Sequence, residues 1–443
     1  MNDFVIMQTR REKLGYEMTL LPPLESLIPS HHRLRKLDRV LDLSFIHDAV
    51  RDHYCQDNGR PSIDPEVAMR LFMLQATEGI RSVRELMNEV QVNLAYRWFI
   101  GYRVDEPLPD HSSLSRALDR FGDELFNQLF VQSIAQCQKS GLIDGKVLHL
   151  DATMIRADIQ KDQAGRPGCS DPDARHGRHP GEPGYKQQTV VDGASRVVLS
   201  VSVMPANHHD SEGAVDAVDE AIAHLGMTPE ALCADRAYAN GPNATAMEER
   251  GIRLVSPPQH VGYSGLSADH FTIDDFTYDE AQDVFTCPAG ETLVFAGIES
   301  TERRRRRYRA SKTSCAVCAL KSRCTLSDRK QINVTEHHAA LIRLRADAKT
   351  GSFRQLYRAR SPVIEGVFAE AKQWHGLRRA WRRGLSNMLM QSLLIAAVLN
   401  FKRLMASNRR VWSALTRLIR HLGNYAANES CTLSHRIEYA PNI

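Results

Sequence analysis

A nearly continuous apolar run with a carboxylate at its centre constrains the fold of this chain more than any other stretch. Residues 146–155 read Lys-Val-Leu-His-Leu-Asp-Ala-Thr-Met-Ile and are bounded by polar residues on both sides. Their length and β-branched content favour a buried central strand over a short helix. Asp151 must be desolvated there, so it needs hydrogen-bond donors, a proton or a cation. It could also simply bond a neighbouring turn, and the strand alone leaves both interpretations open.

Composition narrows the class of protein. The 443 residues are 42% apolar and 25% charged, which is typical of a soluble globular chain with two or three domains. The N-terminus lacks the pattern of a signal peptide. The longest apolar run, residues 388–401, falls short of the ~20 residues of a membrane span. It predicts a buried helix, no membrane contact and a cytoplasmic location. Nine cysteines, four of them clustered, favour a reduced setting.

Positive charge is concentrated in two segments. Residues 301–330 hold eleven Lys/Arg against two acidic residues, a net of +9, and residues 354–384 hold eight against two, a net of +6. Because the whole chain carries only +4, the remainder sums to −11 (4 − 9 − 6). Two basic segments on an otherwise acidic chain predict a polyanionic partner better than they predict general solubility.

Residues 1–130 are predicted to form a helical domain, with weak signals over 1–60 and clear helix signals from Asp64 onward. Asp64-Pro65-Glu66 has the form of an N-cap, an N1 proline and an acidic first turn, and Ser82 with Glu85 forms a capping box. Pro109-Asp-His-Ser112 precedes a further helix. These short capped helices predict either a DNA-binding and dimerisation domain related to helix-turn-helix proteins or a plain helical packing domain. The pattern does not choose between the two.

Residues 140–260 have the element order of an α/β layer. After the Asp151 strand and a Gly/Pro-rich loop, strands over 186–192 and 196–204 are joined by the hairpin signal Asp192-Gly193. Ser211 can cap a helix. A second short apolar run, 231–235, then ends in Asp235, and a helix over 244–249 leads to a strand over 252–255. This order predicts a mixed sheet with helices packed on it.

Residues 261–350 interrupt that order as a basic insertion containing cysteines. The core resumes at 351–405, where Ser361-Pro362 opens a helix that carries Glu365. A loosely structured tail is expected over 406–443.

Three carboxylates in these elements could form one site. Asp151 and Asp235 lie in or after short apolar strands, and Glu365 lies on a helix. Two carboxylates ~4 Å apart repel by about 4 kcal/mol at an effective dielectric near 20, so a cluster persists only if it is protonated or holds a cation. Oxygen ligands favour Mg²⁺ or Mn²⁺, and two such ions can activate a water or a sugar 3′-hydroxyl at a phosphodiester. Spacing alone does not establish that the three residues converge.

Several motifs together resemble the DDE transposases of bacterial insertion sequences. The resemblance covers roughly residues 30–405. Its carriers are Gly79-Ile-Arg-Ser82, Pro109-Asp-His-Ser112, Leu150-Asp-Ala-Thr153, Asp171-Pro-Asp173, Ala234-Asp-Arg-Ala-Tyr238 and Glu365-x6-Lys372. The family signature Tyr-x2-Arg-x3-Glu-x6-Lys is matched from Tyr357 to Lys372 with one extra residue between Arg360 and Glu365.

The resemblance implies a ribonuclease-H-like catalytic core, interrupted by the insertion, with Asp151, Asp235 and Glu365 as catalytic residues and ligands of two Mg²⁺ or Mn²⁺. It implies a nucleoid-associated bacterial enzyme that cleaves insertion-sequence ends and transfers the strands to target DNA, as a homodimer. The alternatives are a transposase-derived DNA-binding protein without catalysis and a nuclease that lacks strand transfer.

Supporting roles fall to residues around these carboxylates. Lys372 is predicted to contact a DNA phosphate, with a solvated helix lysine as the alternative. Arg378, Arg379, Arg382 and Arg383, with tryptophans among them, favour DNA binding over a merely solvated face. Tyr238 is expected to orient the second carboxylate, or only to pack beside it.

Four cysteines of the insertion could bind one structural Zn²⁺. Cys315 and Cys318 have the spacing of a two-ligand knuckle, while Cys324 and the distant Cys287 fit more loosely. The alternative is four reduced, merely buried thiols.

Overall fold

The computed structural model describes residues 22–54, 62–160, 163–177, 181–259, 270–299 and 305–407. The predicted tail, 406–443, lies outside these residues apart from its first two. The helices are α1 (Leu24–Leu27), α2 (Arg33–Val40), α3 (Ile46–Ala49), α4 (Pro65–Glu78), α5 (Val83–Val92), α6 (Leu94–Phe99), α7 (His111–Lys139), α8 (Ala214–Leu225), α9 (Gly241–Glu249), α10 (Lys312–Ala316), α11 (Lys321–Cys324), α12 (His338–Asp347), α13 (Gly351–Trp374) and α14 (Leu385–Ser407). The strands are β1 (Val147–Arg156), β2 (Arg175–His176), β3 (Pro183–Asp192), β4 (Val198–Pro205), β5 (Ala231–Ala234), β6 (Arg253–Val255), β7 (Thr277–Asp279), β8 (Val284–Thr286), β9 (Thr292–Ile298), β10 (Arg305–Arg309) and β11 (Gln331–Thr335).

The chain divides into two compact units. The first comprises residues 1–143 and 371–443, and the second comprises residues 144–370. The sequence groups 351–405 as one part of the core. In the structure this segment is divided within α13, because residues from Ala371 onward pack with the N-terminal helices.

Helices α4 and α5 of the first unit begin at the caps that the sequence predicts. The Asp64 carboxylate accepts the Glu66 backbone N–H at 2.7 Å, and Gly79, at φ +66°, ends α4 in the left-handed region. Ser82 caps α5 and Asp110 caps α7 in the same way. Side-chain caps therefore set the boundaries of these helices.

Helix α14 lies in the core of the first unit. It is the one helix in the described ranges that is long and apolar enough to cross a membrane by length and composition, and 78% of its most apolar window is buried inside the fold. That burial is the behaviour of a core helix, which confirms the predicted buried helix over 388–401.

A six-stranded mixed sheet forms the centre of the second unit. Its order is β2-β3-β1-β5-β6, with β4 also paired to β3. Strand β1 runs antiparallel to β3 and parallel to β5, which in turn is parallel to β6. Leu148, Leu150 and Ile155 on β1 are fully buried. The predicted α/β class with a helical N-terminal region is thus confirmed, and the 146–155 run is a central strand.

Asp192 organises the turn between β3 and β4. Its buried carboxylate accepts the backbone N–H groups of Gly145 at 2.9 Å and Ser195 at 2.8 Å. Arg196, at φ +63°, lies in the left-handed region and belongs to the turn. For this reason β4 begins at Val198 and not at the predicted Arg196.

A second, five-stranded sheet has the order β11-β10-β9-β8-β7. Its small core is built around Phe285 and Tyr308, both fully buried. Part of the basic run is structural, because Arg306 pairs with Asp283 and stacks over Phe295. The charge of this segment is therefore not all available to a partner.

Candidate active site

Asp151 lies in the middle of β1, and Asp235 directly follows the parallel strand β5 beside it. Leu150 on β1 is paired with Ala234 on β5, so the residue that follows each is one of the two aspartates. The Asp235 carboxylate accepts the Ala237 backbone N–H at 2.9 Å, which caps the short 3₁₀ turn Arg236–Tyr238. The sheet thus brings the first two predicted carboxylates together.

Arg360 reaches the same place from α13. Its guanidinium donates to Asp151 Oδ2 at 2.6 Å, and the other carboxylate oxygen accepts the Ala152 backbone N–H at 2.9 Å. Arg360 is only 7% exposed. Packing of Phe353 against Cys233 and Val255 of the parallel strands holds α13 in place for this contact.

The electrostatics around Asp151 reflect burial and its charged neighbours. Burial raises the pKa of Asp151 to about 6, against the opposing pull of the Arg360 guanidinium. The negative charges of Asp235 and Asp210 push this pKa in the same direction as burial. The carboxyl group therefore lies in an acidic pocket that favours a positive partner.

A hydrogen-bonded shell surrounds the aspartates. Tyr238 is buried, which raises its pKa well above the ordinary range, and its hydroxyl accepts a hydrogen bond from Gln188 Nε2 at 3.4 Å. Gln188 also donates to the Asp210 carbonyl at 2.9 Å. Lys186 Nζ lies 2.6 Å from the Asp210 carboxylate. Sequence reasoning missed Gln188, Lys186 and Asp210, and only the pairing of β3 with β1 could have pointed to them.

Glu365 is on α13 but not on its buried face. Arg360, Ile364 and Val367 are buried, whereas Glu365 is exposed. Five helical residues rotate a side chain by roughly 500°, so Glu365 points about 140° away from Arg360. Among the described residues, no three His, Cys, Asp or Glu side chains form a group that could hold a metal ion. The structure therefore brings two of the three carboxylates together, and it does not assemble the third with them.

Residues 372–383 carry Lys372 and the four predicted DNA-binding arginines and are called the arginine segment below. This segment lies in the first unit. Lys372 is half-buried, and burial together with the nearby Arg378 charge lowers its pKa. Arg379 and Arg383 are exposed, as is Arg378. Arg382 differs, because it pairs with Asp119 at 2.6 Å.

Gln391 on α14 holds this segment in shape. Its side-chain oxygen accepts the Trp381 backbone N–H at 2.9 Å, and its amide donates to the carbonyls of Gly376 at 3.1 Å and Arg379 at 3.0 Å. Gln391 is itself buried. The arginines are thus presented on an ordered loop.

The four cysteines share one cavity of about 240 Å³ beside the second sheet. Cys287 Sγ accepts the Glu291 backbone N–H at 3.3 Å. Burial raises the pKa of Cys324, and the other three cysteines lie near enough to affect it. As placed, the thiols do not form a group that could hold a metal within the described residues.

Two family models match the chain. The first describes a transposase domain (DUF772) and matches residues 22–120. The second describes a transposase DDE domain and matches residues 286–405. The two matches are consistent with a DDE transposase of insertion-sequence type. The second match spans Glu365, Lys372 and the arginine segment, whereas Asp151 and Asp235 lie between the two matched ranges.

Two solved structures are similar to this chain at low identity. One is a cryo-EM structure of a piggyBac transposase synaptic complex with hairpin DNA, at 11% identity and a TM-score of 0.38, covering 92% of this chain and 80% of that one. The other is a Mos1 transposase paired-end complex with the left transposon end, at 12% identity and a TM-score of 0.18, covering 47% of this chain and 64% of that one. No curated protein sequence matches the chain.

The family implies the use of a divalent metal. The aspartate pair could supply part of the ligand set of such an ion. Asp151 and Asp235 offer hard oxygen ligands from adjacent strands, in a pocket whose negative charge favours a cation. However, Arg360 already occupies one Asp151 oxygen. Two carboxylates that could bind a metal are therefore adjacent, and one of them pairs with a competing positive charge.

Proposed function

We propose that this transposase cuts DNA at the ends of its element and joins the freed strands to target DNA, with Asp151, Asp235 and Glu365 as the catalytic carboxylates. The observation that carries the proposal is the pairing of Leu150 with Ala234, which puts two buried-strand aspartates side by side. The same arrangement supports the ribonuclease-H-like description of the core.

Each residue has a distinct task in this proposal. Asp151 and Asp235 would hold Mg²⁺ or Mn²⁺, and Glu365 would complete the ligand set after a local change in α13. Two such ions would activate a water or a 3′-hydroxyl and stabilise the leaving oxygen. Arg360 releases Asp151 as the site fills. Tyr238, held by Gln188, backs the pair and stays neutral.

Local change in α13 has a structural basis. Pro362 lies inside this helix between Arg360 and Glu365. Proline lacks a backbone N–H and removes one helical hydrogen bond, so helices bend most readily at such a residue. A bend or rotation there can alter which side chain faces the aspartates.

Lys372, Arg378, Arg379, Arg382 and Arg383 would bind DNA phosphates. Exposure of three of these arginines and the order imposed by Gln391 support this role. A homodimer acting on two ends and a bacterial, nucleoid-associated location follow from the proposed reaction.

A structural zinc at Cys287, Cys315, Cys318 and Cys324 stays part of the proposal. Support comes from the shared cavity and from the small core of the second sheet, which a metal would stabilise. The thiols would have to rotate towards one another to bind it. Zinc content of the purified protein, measured with and without Cys287→Ser, tests this directly.

Asp151→Asn tests the chemistry. The substrate is a plasmid carrying the coding sequence with its native flanking DNA, and cleaved and joined products are counted in Mg²⁺. We expect Asp151→Asn to lower both by at least about 100-fold while DNA binding persists, because a metal ligand is lost and the basic segments are intact. Asp216→Asn, an exposed change in the same unit, is the matched control. Normal cutting and joining by Asp151→Asn would overturn the mechanism. If the wild-type protein cuts the plasmid but gives no joined products, a nuclease without strand transfer is favoured.

A further inference from the structure

The first unit contains a cavity of about 330 Å³ where five stretches of the chain meet, among them α4 and α14. The start of α5 contributes Arg81 and Arg84, the start of α7 contributes Ser115, and the arginine segment contributes Trp381 and Arg382. None of the residues that line it is a carboxylate. The charged side chains that line the cavity are therefore all arginines, and their positive charge favours an anion.

The side chains of Arg81 and Arg84 do not stabilise the fold through polar contacts to other described residues. Both are exposed, and neither has an ion pair or a side-chain hydrogen bond within the described part of the chain. They flank the N-terminus of α5, where backbone N–H groups add positive potential. By contrast, Arg33 and Arg70 of the same unit are paired with carboxylates.

Two residues that line the cavity carry buried donors with no acceptor. Trp381 Nε1 and one terminal nitrogen of Arg382 are inaccessible to solvent and have no hydrogen-bond partner within the described residues. The other terminal nitrogen of Arg382 is held by Asp119 at 2.6 Å, so this side chain is fixed. Buried donors of this kind are stabilised when a ligand supplies acceptor oxygens.

We propose that this cavity binds a phosphodiester of the DNA backbone with its flanking sugars, contacted by Arg81, Arg84 and Arg382. The inference rests on the proposed function for its DNA partner, and it extends the interface from the arginine segment to the start of α5. The volume is at the lower end of ligand cavities, which suits one backbone unit and not a duplex segment.

The test compares three variants by fluorescence anisotropy, with a labelled random-sequence duplex over a series of KCl concentrations. Arg81→Gln/Arg84→Gln should make the slope of log K against log[salt] shallower by roughly 0.9 for each phosphate that the protein no longer neutralises. Arg39→Gln/Arg116→Gln removes the same charge from exposed arginines of the same unit that do not line the cavity, and it should leave the slope unchanged. Ser115→Phe fills the cavity without a change in charge and should weaken binding.

Each result has one meaning. A slope for Arg81→Gln/Arg84→Gln equal to that of the control double variant overturns the proposal, as does wild-type binding by Ser115→Phe. Melting temperatures at constant ionic strength, with and without inorganic phosphate, distinguish a small-anion site. If phosphate stabilises the wild type while the DNA slopes stay unchanged, the cavity binds free anions and the DNA assignment fails. Failure of the wild type to bind DNA would instead overturn the proposed function itself.

Discussion

Arg360 and Asp151 are 209 residues apart in the sequence, yet the guanidinium donates to the carboxylate at 2.6 Å. The contact joins α13 to the central strand β1. It occupies one oxygen of the carboxylate that would bind a divalent cation in the proposed reaction. Arg360 and such a cation would therefore compete for the Asp151 carboxylate.

Competition predicts that Arg360→Gln binds Mn²⁺ more tightly. A charge-assisted hydrogen bond contributes about 1.5–3 kcal/mol, so its removal should lower the apparent Kd for Mn²⁺ by roughly tenfold or more. Isothermal calorimetry measures this without any reaction. Arg358→Gln, an exposed change on the same helix, is the control and should bind as the wild type does. Equal or weaker Mn²⁺ binding by Arg360→Gln would mean that Arg360 does not compete for the site.

The sequence predicts the strands and the positions of the aspartates well because the relevant signals are local. A carboxylate in an apolar run identifies β1, and cap residues such as Asp64 and Ser82 fix helix starts. Adjacency of Asp151 and Asp235 then follows once β1 and β5 are parallel neighbours.

What the sequence does not reveal depends on packing between distant elements. Glu365 and Arg360 are both charged residues on one helix, and only the contact of α13 with the sheet decides which of them is buried. Likewise, Asp119 removes Arg382 from the set of exposed arginines. Sequence spacing does not identify Asp119 as the partner of Arg382, because 263 residues separate the two. The same holds for Asp151 and Arg360, which are 209 residues apart.

Tyr238→Phe should have a small effect on cleavage. The hydroxyl accepts one long hydrogen bond from Gln188, which keeps its stronger bond to the Asp210 carbonyl. We expect a loss of stability of about 0.5–1.5 kcal/mol and a loss of cleavage below about tenfold. Urea unfolding and the plasmid assay measure the two effects. A loss of cleavage as large as that of Asp151→Asn would instead make the hydroxyl part of the catalytic machinery.

The lowered pKa of His338 implies that the stability of the fold depends on pH. Burial lowers its pKa to about 4, from 6.5 in the unfolded chain. Between these values the unfolded state binds the proton and the folded state does not, so stability falls as the pH falls from 6.5 towards 4. Well above pH 6.5 both states are unprotonated, and His338 does not lower the unfolding free energy. At pH 5 this penalty, the loss of unfolding free energy, should amount to roughly 1–2 kcal/mol.

The variant His338→Phe removes this penalty and keeps an aromatic ring beside Tyr278 and Phe285. Its melting temperature should therefore fall less between pH 7 and pH 5 than that of the wild type. His176→Phe, an exposed change in the same unit, should follow the wild type. Parallel pH profiles for His338→Phe and the wild type would show that His338 does not titrate abnormally.

Gln391→Leu should loosen the arginine segment without removing any charge. The change deletes three hydrogen bonds, to the Trp381 backbone N–H and to the carbonyls of Gly376 and Arg379, in a buried position. Each is worth about 1 kcal/mol, so unfolding free energy should fall by roughly 2–4 kcal/mol.

DNA binding by Gln391→Leu should weaken as well, since disordered arginines lose more conformational freedom on binding than ordered ones. Gln128→Leu, an exposed change on α7, is the control for the loss of a glutamine. Anisotropy with the labelled duplex, below the melting temperature of every variant, measures the affinities. If Gln391→Leu melts early yet binds DNA with wild-type affinity, order in this segment stabilises the fold alone and the arginines bind DNA without it.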